Sequence, residues 1–314
     1  MIHPIILMTM WLSILPIGSH LVSIPQNESD PVTYRLSYYR NEEMNFEKYG
    51  IEKDPELVAP VVNAKGAIVV DVSTGAVLWH KDAYKRLPIA SITKLMSALV
   101  VLENVEDMGA YVTMSALASE KEGSRIGVKA GEEFTVNDLL NASLVRSAND
   151  AIYALSEYVA GTSQDFVAMM NEKAKYMHLG STSFANPVGF DNEENFSSAY
   201  EITLIARELL KYPQIRDITA QKELIIYNKS GKKYKLKSTN KLLNSYLNIY
   251  GLKTGTTDLA GQSYVALGLV DGNREILVVV LNSEDRFQEA KVIFDWTERA
   301  FTFPQTYSEN AEQN

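Results

Sequence analysis

The 314-residue sequence contains no cysteine and only four histidines. Without cysteine, disulfide bonds and thiolate metal sites are excluded. His3, His20, His80 and His178 form no H-x-x-x-H pair, so the sequence does not indicate a zinc hydrolase. No G-x-S-x-G turn supports a Ser-His-Asp hydrolase. We therefore expect an activity that uses neither a metal ion nor any other cofactor.

Positive charge is also scarce. The chain has 30 Lys and Arg against 39 Asp and Glu, a formal net charge of −9. Nucleic-acid binding needs a basic face, so we expect no nucleic-acid partner. The first 27 residues carry no Lys, Arg, Asp or Glu, and Ile5 to Leu15 is an apolar run. This pattern is typical of a secretory signal peptide or an N-terminal membrane anchor, and it predicts a location outside the cytoplasm.

The predicted organisation follows these shifts in composition. Residues 25–59 are polar and rich in charge, without sustained apolar periodicity, which favours a spacer. Packing of its tyrosines and of Phe46 on the domain surface is an equally good interpretation. The predicted parts are a signal peptide or N-terminal membrane anchor (1–24), a polar spacer (25–59), a catalytic domain (60–304) and a disordered tail (305–314).

The catalytic part has strand-like segments at both ends and helical segments between them. KGAIVVDVSTGAVLWH predicts a β-hairpin, and LIIYNKSGKKYKL predicts another with a basic tip. Residues 138–210 are helical in pattern, and GQSYVALGLV and REILVVVLN predict buried strands before a closing helix. This order predicts an α+β fold, with an antiparallel sheet flanked by helices and an all-helical insertion.

Three short motifs occur in one order: Ser91-Ile-Thr-Lys94, Ser147-Ala-Asn149 and Lys253-Thr-Gly255. Each motif alone is weak, because Ser and Lys are common residues. Only in this set does each member lie next to a predicted buried element; the third motif precedes an apolar strand. The remaining copies lie in lysine-rich or tail segments and are interpreted as chance: Ser230-Gly-Lys-Lys233, Ser238-Thr-Asn-Lys241, Ser238-Thr-Asn240, Ser308-Glu-Asn310 and Lys229-Ser-Gly231.

The first motif provides a nucleophile and a base. Residues three apart on a helix share a face, so the Ser91 hydroxyl and the Lys94 amine can meet. A serine hydroxyl is a poor nucleophile until a neighbouring group takes its proton, and Lys94 can take it only when neutral. Burial and a second cation, Lys253, would both lower the pKa of Lys94. We therefore expect Ser91 to act as nucleophile and Lys94 as base.

The other two motifs supply the remaining groups of an acyl transfer. Ser147 can relay a proton to the leaving group, and the Asn149 amide can hold a peptide group of the substrate. The third motif is expected to bind a substrate carboxylate through Lys253 and Thr254, while Gly255 lets the substrate backbone approach a strand edge. The backbone N–H groups of Ser91 and Thr256 are the expected oxyanion donors.

With these motifs, the sequence resembles the serine-type D-alanyl-D-alanine carboxypeptidases, which are low-molecular-mass penicillin-binding proteins. The resemblance runs from about Pro60 to Pro304 and includes PIASITKLMSALVVLE, TVNDLLNASLVRSANDAIYALSEYVAG, FANPVGFD and YGLKTGTTDLAGQS. It implies a penicillin-binding/β-lactamase-like transpeptidase fold and removal of the terminal D-alanine from peptidoglycan stem peptides. It also implies covalent inhibition by β-lactams and a basic residue, Arg286, near the substrate carboxylate. Ala148 stands where S-D-N enzymes have aspartate. The resulting S-A-N motif is a pattern seen among carboxypeptidases.

Three other activities use related residues. A D,D-endopeptidase would cleave peptidoglycan cross-links with the same catalytic groups. A class A β-lactamase would need an E-x-x-L-N segment, and Glu201-Ile-Thr-Leu-Ile205 lacks the asparagine. A non-hydrolytic penicillin-binding sensor would acylate once and remain closed. For membrane attachment we expect the N-terminus to be responsible.

The nucleophile assignment gives a first prediction. Replacing Ser91 by alanine should abolish covalent labelling by a fluorescent penicillin, because the hydroxyl expected to form the ester is removed. The measurement is fluorescence of the denatured protein in a gel, with circular dichroism as the control for folding. Labelling of the folded variant at an unchanged rate would contradict the assignment.

Overall fold

The computed structural model describes residues 46–304, apart from Asn244 and Tyr246. The predicted signal peptide or anchor over 1–24, the spacer up to residue 45 and the predicted tail over 305–314 lie outside the described residues. Among the helices of the described part, none combines the length and the apolar character needed to cross a bilayer.

The helices and strands of the described residues are numbered in chain order. The strands are β1 (Glu52–Lys53), β2 (Gly66–Asp71), β3 (Val77–Lys81), β4 (Leu87–Pro88), β5 (Tyr111–Thr113), β6 (Glu133–Thr135), β7 (Phe196–Ser197), β8 (Glu223–Tyr227), β9 (Lys233–Lys237), β10 (Ile249–Thr257), β11 (Gly261–Val270), β12 (Arg274–Ser283) and β13 (Phe301–Thr302). The α-helices are α1 (Lys94–Asn104), α2 (Ala116–Ser119), α3 (Val136–Val145), α4 (Asn149–Ala160), α5 (Ser163–Tyr176), α6 (Ala199–Leu209), α7 (Gln214–Thr219) and α8 (Arg286–Ala300), and 3₁₀ turns cover Phe46–Tyr49 and Ala90–Thr93.

A five-stranded antiparallel sheet, in the order β10-β11-β12-β2-β3, divides the core into two parts. Alternate residues of β12 point to opposite faces of the sheet. Leu277 and Val279 join a core shared with the helices of the insertion, whereas Val278 and Val280 join a core shared with α8. Because both faces are covered, residues 264–267 of β11 and residues 276–281 of β12 form continuous buried apolar runs.

The remaining helices lie between β3 and β10 in the sequence. Helix α1 is buried from Lys94 to Val101, which explains its nearly continuous apolar sequence. Around it pack α3, α4, α5 and α6. The prediction of an α+β fold, with helices flanking an antiparallel sheet, is confirmed. The insertion that was predicted to be all-helical also contains two short strand pairs, β4–β7 and β5–β6, which hold its connections in place. The two predicted hairpins are also present, as β2–β3 and β8–β9.

The packed body begins before residue 60, where the sequence placed its boundary. Phe46 and Ile51 are buried, and the Phe46 ring meets the Phe301 ring edge-on at a centroid distance of 5.4 Å. Strand β1 pairs with β13, so this segment covers the apolar end of α8. Of the two interpretations of this segment, packing on the domain holds for Phe46, because Phe46 and Ile51 bury apolar surface of the domain.

The third motif lies within a strand, whereas the sequence placed it before one. Residues 253–255 belong to β10, which pairs with β11 on one side only and forms an edge of the central sheet. The apolar strand that follows in the sequence is β11. The motif therefore lies on a strand edge to which an extended peptide can add.

The second core gives a stability prediction. Phe294 of α8 is fully buried, and its ring lies so close to Gly268 of β11 that a Cβ atom there would come within 2.6 Å of it. Phe294→Ala should lower the free energy of unfolding by about 3–5 kcal/mol, because a large cavity remains in a rigid core. Val292→Ala on the same helix, where the side chain is 37% exposed, is the matched control and should cost about 0.5 kcal/mol or less. Equal urea midpoints for the two variants would argue against this packing.

Candidate active site

Ser91 lies in the 3₁₀ turn Ala90–Thr93, immediately before α1. The residue before it, Ala90, has a positive φ of 48°, which a non-glycine residue adopts only when its surroundings require it. Ser91 is partly exposed, while Ile92, Thr93 and Lys94 are buried. The turn therefore presents the Ser91 hydroxyl at the surface of an otherwise buried segment.

The Lys94 amine is fully buried and surrounded by three oxygen atoms. Its Nζ lies 2.9 Å from Ser91 Oγ, 2.7 Å from Asn149 Oδ1 and 2.6 Å from the backbone oxygen of Val188. A neutral amine has two hydrogens and one lone pair. The amide and backbone oxygens can only accept, so they take the two hydrogens, and Ser91 is the one partner that can donate its proton to the lone pair.

The electrostatics of the site favour this neutral form. Burial lowers the pKa of Lys94 well below its usual range, and the positive charge of Lys253 lowers it further. The carboxylate of Asp150 acts in the opposite direction and raises the pKa of Lys94. Ser91 and Lys94 thus form the expected hydrogen-bonded pair, in a setting that favours the neutral amine.

A second pair joins the other two motifs. Lys253 Nζ donates to Ser147 Oγ at 2.8 Å and to the backbone oxygen of Thr254 at 2.8 Å. Ser147 has a φ of 64° in the short connection between α3 and α4, which brings its hydroxyl to β10. Burial lowers the pKa of Lys253 to about 7, and the charge of Arg286 contributes in the same direction.

Asn149 contacts two protein groups. Its Oδ1 accepts from Lys94, and its Nδ2 donates to the backbone oxygen of Glu122 at 2.7 Å. The Nδ2 group has a second hydrogen, and its expected role in holding a peptide group of the substrate stays a prediction. Through Oδ1, Asn149 positions the Lys94 amine, because an amide oxygen at 2.7 Å fixes one of its hydrogens.

Two glycines allow three segments to meet at Ser91. A Cβ atom on Gly189, whose φ is +87°, would lie 2.0 Å from the Ala90 oxygen and 2.8 Å from the Ser91 nitrogen. A Cβ atom on Gly255 would lie 3.1 Å from the Ser91 nitrogen. Gly255 thus brings β10 against the Ser91 turn. This contact adds to the role expected from the sequence, in which Gly255 lets the substrate backbone approach a strand edge.

Arg286, at the start of α8, closes one end of this arrangement. Its guanidinium donates to the backbone oxygen of Gly255 at 2.6 Å and also to the Thr256 hydroxyl. This places Arg286 beside the third motif, and its expected position near the substrate carboxylate stays a prediction. The predicted residues lie in two neighbouring clusters. Ser91, Lys94 and Asn149 form one, and Ser147, Lys253 and Thr254 form the other.

Three contributors to the site were missed from the sequence. Asp150 is fully buried and accepts from the backbone N–H groups of Ile126 and Gly127 at 3.0 and 2.9 Å. Its position beside Asn149, at the start of an apolar helix, was the available signal. The second contributor is the backbone oxygen of Val188, which any residue type would supply, so the sequence could not indicate it.

The third missed residue, Thr239, belongs to a motif copy that was interpreted as chance. Its hydroxyl lies 2.6 Å from the Thr254 hydroxyl, and its N–H donates to the backbone oxygen of Val145 at the end of α3. Thr239 thus links the connection that carries Ser147 to the strand that carries Lys253.

Within the described residues, no group of three or more His, Asp or Glu side chains could hold a metal ion.

Comparison with known proteins gives a consistent result. The family model described as D-alanyl-D-alanine carboxypeptidase, peptidase S11, matches residues 53–285. The chain is 37% identical to D-alanyl-D-alanine carboxypeptidase DacF of Bacillus subtilis, over 73% of this chain and 60% of that protein. It is 30% identical to D-alanyl-D-alanine carboxypeptidase DacB2 of Mycobacterium tuberculosis, over 73% of this chain and 80% of that protein.

A solved structure is similar as well. The crystal structure of the Streptomyces K15 DD-transpeptidase superposes with a TM-score of 0.72 at 28% sequence identity, covering 76% of this chain and 98% of that chain. The chain spans less than two thirds of the length of the Bacillus subtilis relative.

The Lys253–Arg286 pair gives a pH prediction. A ligand carboxylate binds the protonated amine, so the rate constant for acylation by penicillin should fall as the pH rises through about 7, the pKa of Lys253. Arg286→Gln removes a cation that disfavours the protonated form, so the pKa of Lys253 rises and the fall moves to higher pH. The measurement is the rate of labelling by fluorescent penicillin across a pH series.

The control for this prediction is on the same helix. Arg299 is exposed and pairs with Asp295 one turn away, so Arg299→Gln should leave the alkaline midpoint unchanged. A midpoint that stays in place, or moves to lower pH, in the Arg286 variant would show that its charge does not act on Lys253.

Proposed function

Because the chain belongs to the D-alanyl-D-alanine carboxypeptidase family, we propose that it removes the terminal D-alanine from peptidoglycan stem peptides through an acyl-enzyme on Ser91. The observation that carries this proposal is the 2.9 Å distance between Ser91 Oγ and a buried Lys94 Nζ. That amine has only oxygen partners and a pKa well below its usual range. A lysine in this state can accept the serine proton near neutral pH.

Acylation then proceeds as a serine addition and an amine departure. Ser91 Oγ attacks the carbonyl carbon of the penultimate D-alanine while its proton passes to Lys94 Nζ. The backbone N–H groups of Ser91 and Thr256 hold the oxyanion. The tetrahedral intermediate collapses, the C–N bond breaks, and the leaving amine receives a proton by way of the Ser147 hydroxyl. D-Alanine departs and an ester on Ser91 remains, which water hydrolyses.

The third motif provides the carboxylate anchor. Lys253 is held between Ser147 and the Thr254 carbonyl, and Arg286 lies at the Gly255 and Thr256 end of the strand. A terminal carboxylate would meet these cations together with the Thr254 hydroxyl. The peptide backbone would add to the free edge of β10, which fixes the scissile bond relative to Ser91.

The same groups account for inhibition by β-lactams. A penicillin carries a carboxylate and a strained amide, so Lys253 would anchor it and Ser91 would open the ring. No separate molecule departs, because the leaving nitrogen stays attached to the acyl group. We therefore expect a long-lived ester on Ser91.

The proposed substrate lies outside the cytoplasm, so we place the enzyme there. Export would use the apolar segment within residues 1–24, either as a cleaved signal peptide or as an N-terminal membrane anchor. Removal of this segment on export would give a secreted enzyme, and retention would attach it to the membrane.

The test is D-alanine release from an acylated stem pentapeptide by the full-length protein and by its Ser91→Ala variant. We expect release by the first and none by the second, because the ester cannot form without the serine hydroxyl. Cleavage of cross-linked peptidoglycan into separate stem peptides, with no D-alanine released from the pentapeptide, would favour an endopeptidase. Slow penicillin acylation at Ser91 without any peptide turnover would favour a sensor and overturn the proposal.

A further inference from the structure

One segment has a charge opposite to that of the whole chain. From Lys222 to Lys241 there are seven lysines and one glutamate, a net charge of +6 in a chain of net charge −9. The difference leaves −15 on the rest of the protein. All seven lysines are exposed. A concentrated positive field on an acidic protein attracts anionic partners to that place and repels them elsewhere.

The structure places three of the seven lysines on one face of the β8–β9 hairpin, whereas Lys229 and Lys232 pair with Glu133 and Glu132. Leu224, Ile226 and Leu236 point inward and are buried. The outward positions of β9 are Lys233, Lys235 and Lys237, spaced about 7 Å apart because alternate residues of a strand share a face. Opposite them on β8 lie Tyr227, Ile225 and Glu223. We call these six outward residues the lysine face.

The lysine face retains most of its charge. Lys235 pairs with Glu223 at 2.7 Å. For Lys233 and Lys237, no ion pair is formed among the described residues. Tyr227 and Ile225 are 51% and 45% exposed, so the face also offers two apolar surfaces between the amines. Such a surface can hold a flexible polyanion through charge and through contact.

The position of this face connects it to the active site. Strand β9 ends at Lys237, and two residues later Thr239 contacts Thr254 of the third motif at 2.6 Å between hydroxyl oxygens. The row of lysines therefore begins next to the carboxylate anchor and runs away from it along β9. A polymer that enters the active site can lie along this row.

We propose that the lysine face is an exosite for the peptidoglycan polymer, where it holds carboxylates of neighbouring stem peptides. This inference rests on the proposed function. In such a polymer each free stem peptide ends in a carboxylate, before and after D-alanine is removed. The anionic groups thus repeat along the substrate itself. A bilayer would need more apolar area than Tyr227 and Ile225 provide.

Binding without turnover is the first measurement. Full-length Ser91→Ala protein is sedimented with purified insoluble peptidoglycan at low ionic strength, with and without the substitutions Lys233→Gln, Lys235→Gln and Lys237→Gln. We expect the triple substitution to weaken binding about tenfold, since each exposed pair contributes a fraction of a kcal/mol and the three act together. Added salt should remove most of the difference.

The matched control changes the same charge elsewhere. Lys48, Lys175 and Lys211 are exposed lysines on other elements, and replacing all three by glutamine should leave sedimentation unchanged. Equal losses in both triple variants would show an effect of net charge alone and would overturn the exosite. Equal binding by the lysine-face variant and its parent would also overturn it.

Turnover provides the second measurement, in protein that retains Ser91. The lysine-face variant should release D-alanine from polymeric peptidoglycan about tenfold more slowly, with less than about a twofold change on a short acylated D-Ala-D-Ala peptide. An equal loss on both substrates would place the defect in the active site and contradict the exosite. A loss of binding confined to phosphatidylglycerol vesicles or to a phosphodiester polymer would assign the face to that partner instead. If the unsubstituted enzyme releases no D-alanine from either substrate, the proposed function fails, and the sedimentation result alone decides the exosite.

Discussion

Burial of two lysine amines among uncharged oxygen atoms is the constraint on which the rest of the site depends. Desolvation favours the neutral amine, and the proximity of Lys253 favours it further at Lys94. The partners of Lys94 match a neutral amine, with two acceptors for its hydrogens and one hydroxyl that can donate. The negative charge of Asp150 limits this effect, because it raises the pKa of Lys94. The apolar sequence of α1 thus has a chemical role, because it keeps water away from the base.

The backbone supports this arrangement at several points of close contact. Ala90 and Ser147 both have positive φ, and both lie at junctions where a side chain is directed into the site. Gly189 and Gly255 bring two further segments against the Ser91 turn; a Cβ atom on Gly189 would clash with the Ala90 backbone, and one on Gly255 would lie in tight contact with the Ser91 nitrogen. The reacting groups come from the helix that follows β4, from the helical insertion and from the sheet edge. Their relative positions therefore depend on the packing of the whole domain. A single sheet with both faces covered holds these three parts rigidly against one another.

The sequence was informative where function depends on side-chain type and spacing. The three motifs identified Ser91, Lys94, Ser147 and Lys253, and their positions beside apolar segments separated them from the other copies. The sequence was uninformative where function depends on backbone atoms, as for the Val188 oxygen that accepts from Lys94. The sequence was misleading for Thr239, because the lysine-rich segment around it looked solvated. Nothing in that segment indicated that the chain contacts β10 at this residue. For residues 46–53 the sequence does not decide between a spacer and a packed segment, because two buried side chains in a polar stretch do not form a periodic pattern.

The position of Lys253 on an edge strand has a consequence for self-association. An unpaired strand edge can pair with the same edge of another molecule, and proteins often prevent this with a charged residue that points inward. Among the described strands, none covers the outer edge of β10, and Lys253 is such a residue. Two copies joined at this edge would bury the Lys253 amine of each copy without a carboxylate to pair with it. The group that anchors a substrate carboxylate thereby also keeps the edge available to peptides that supply a negative charge.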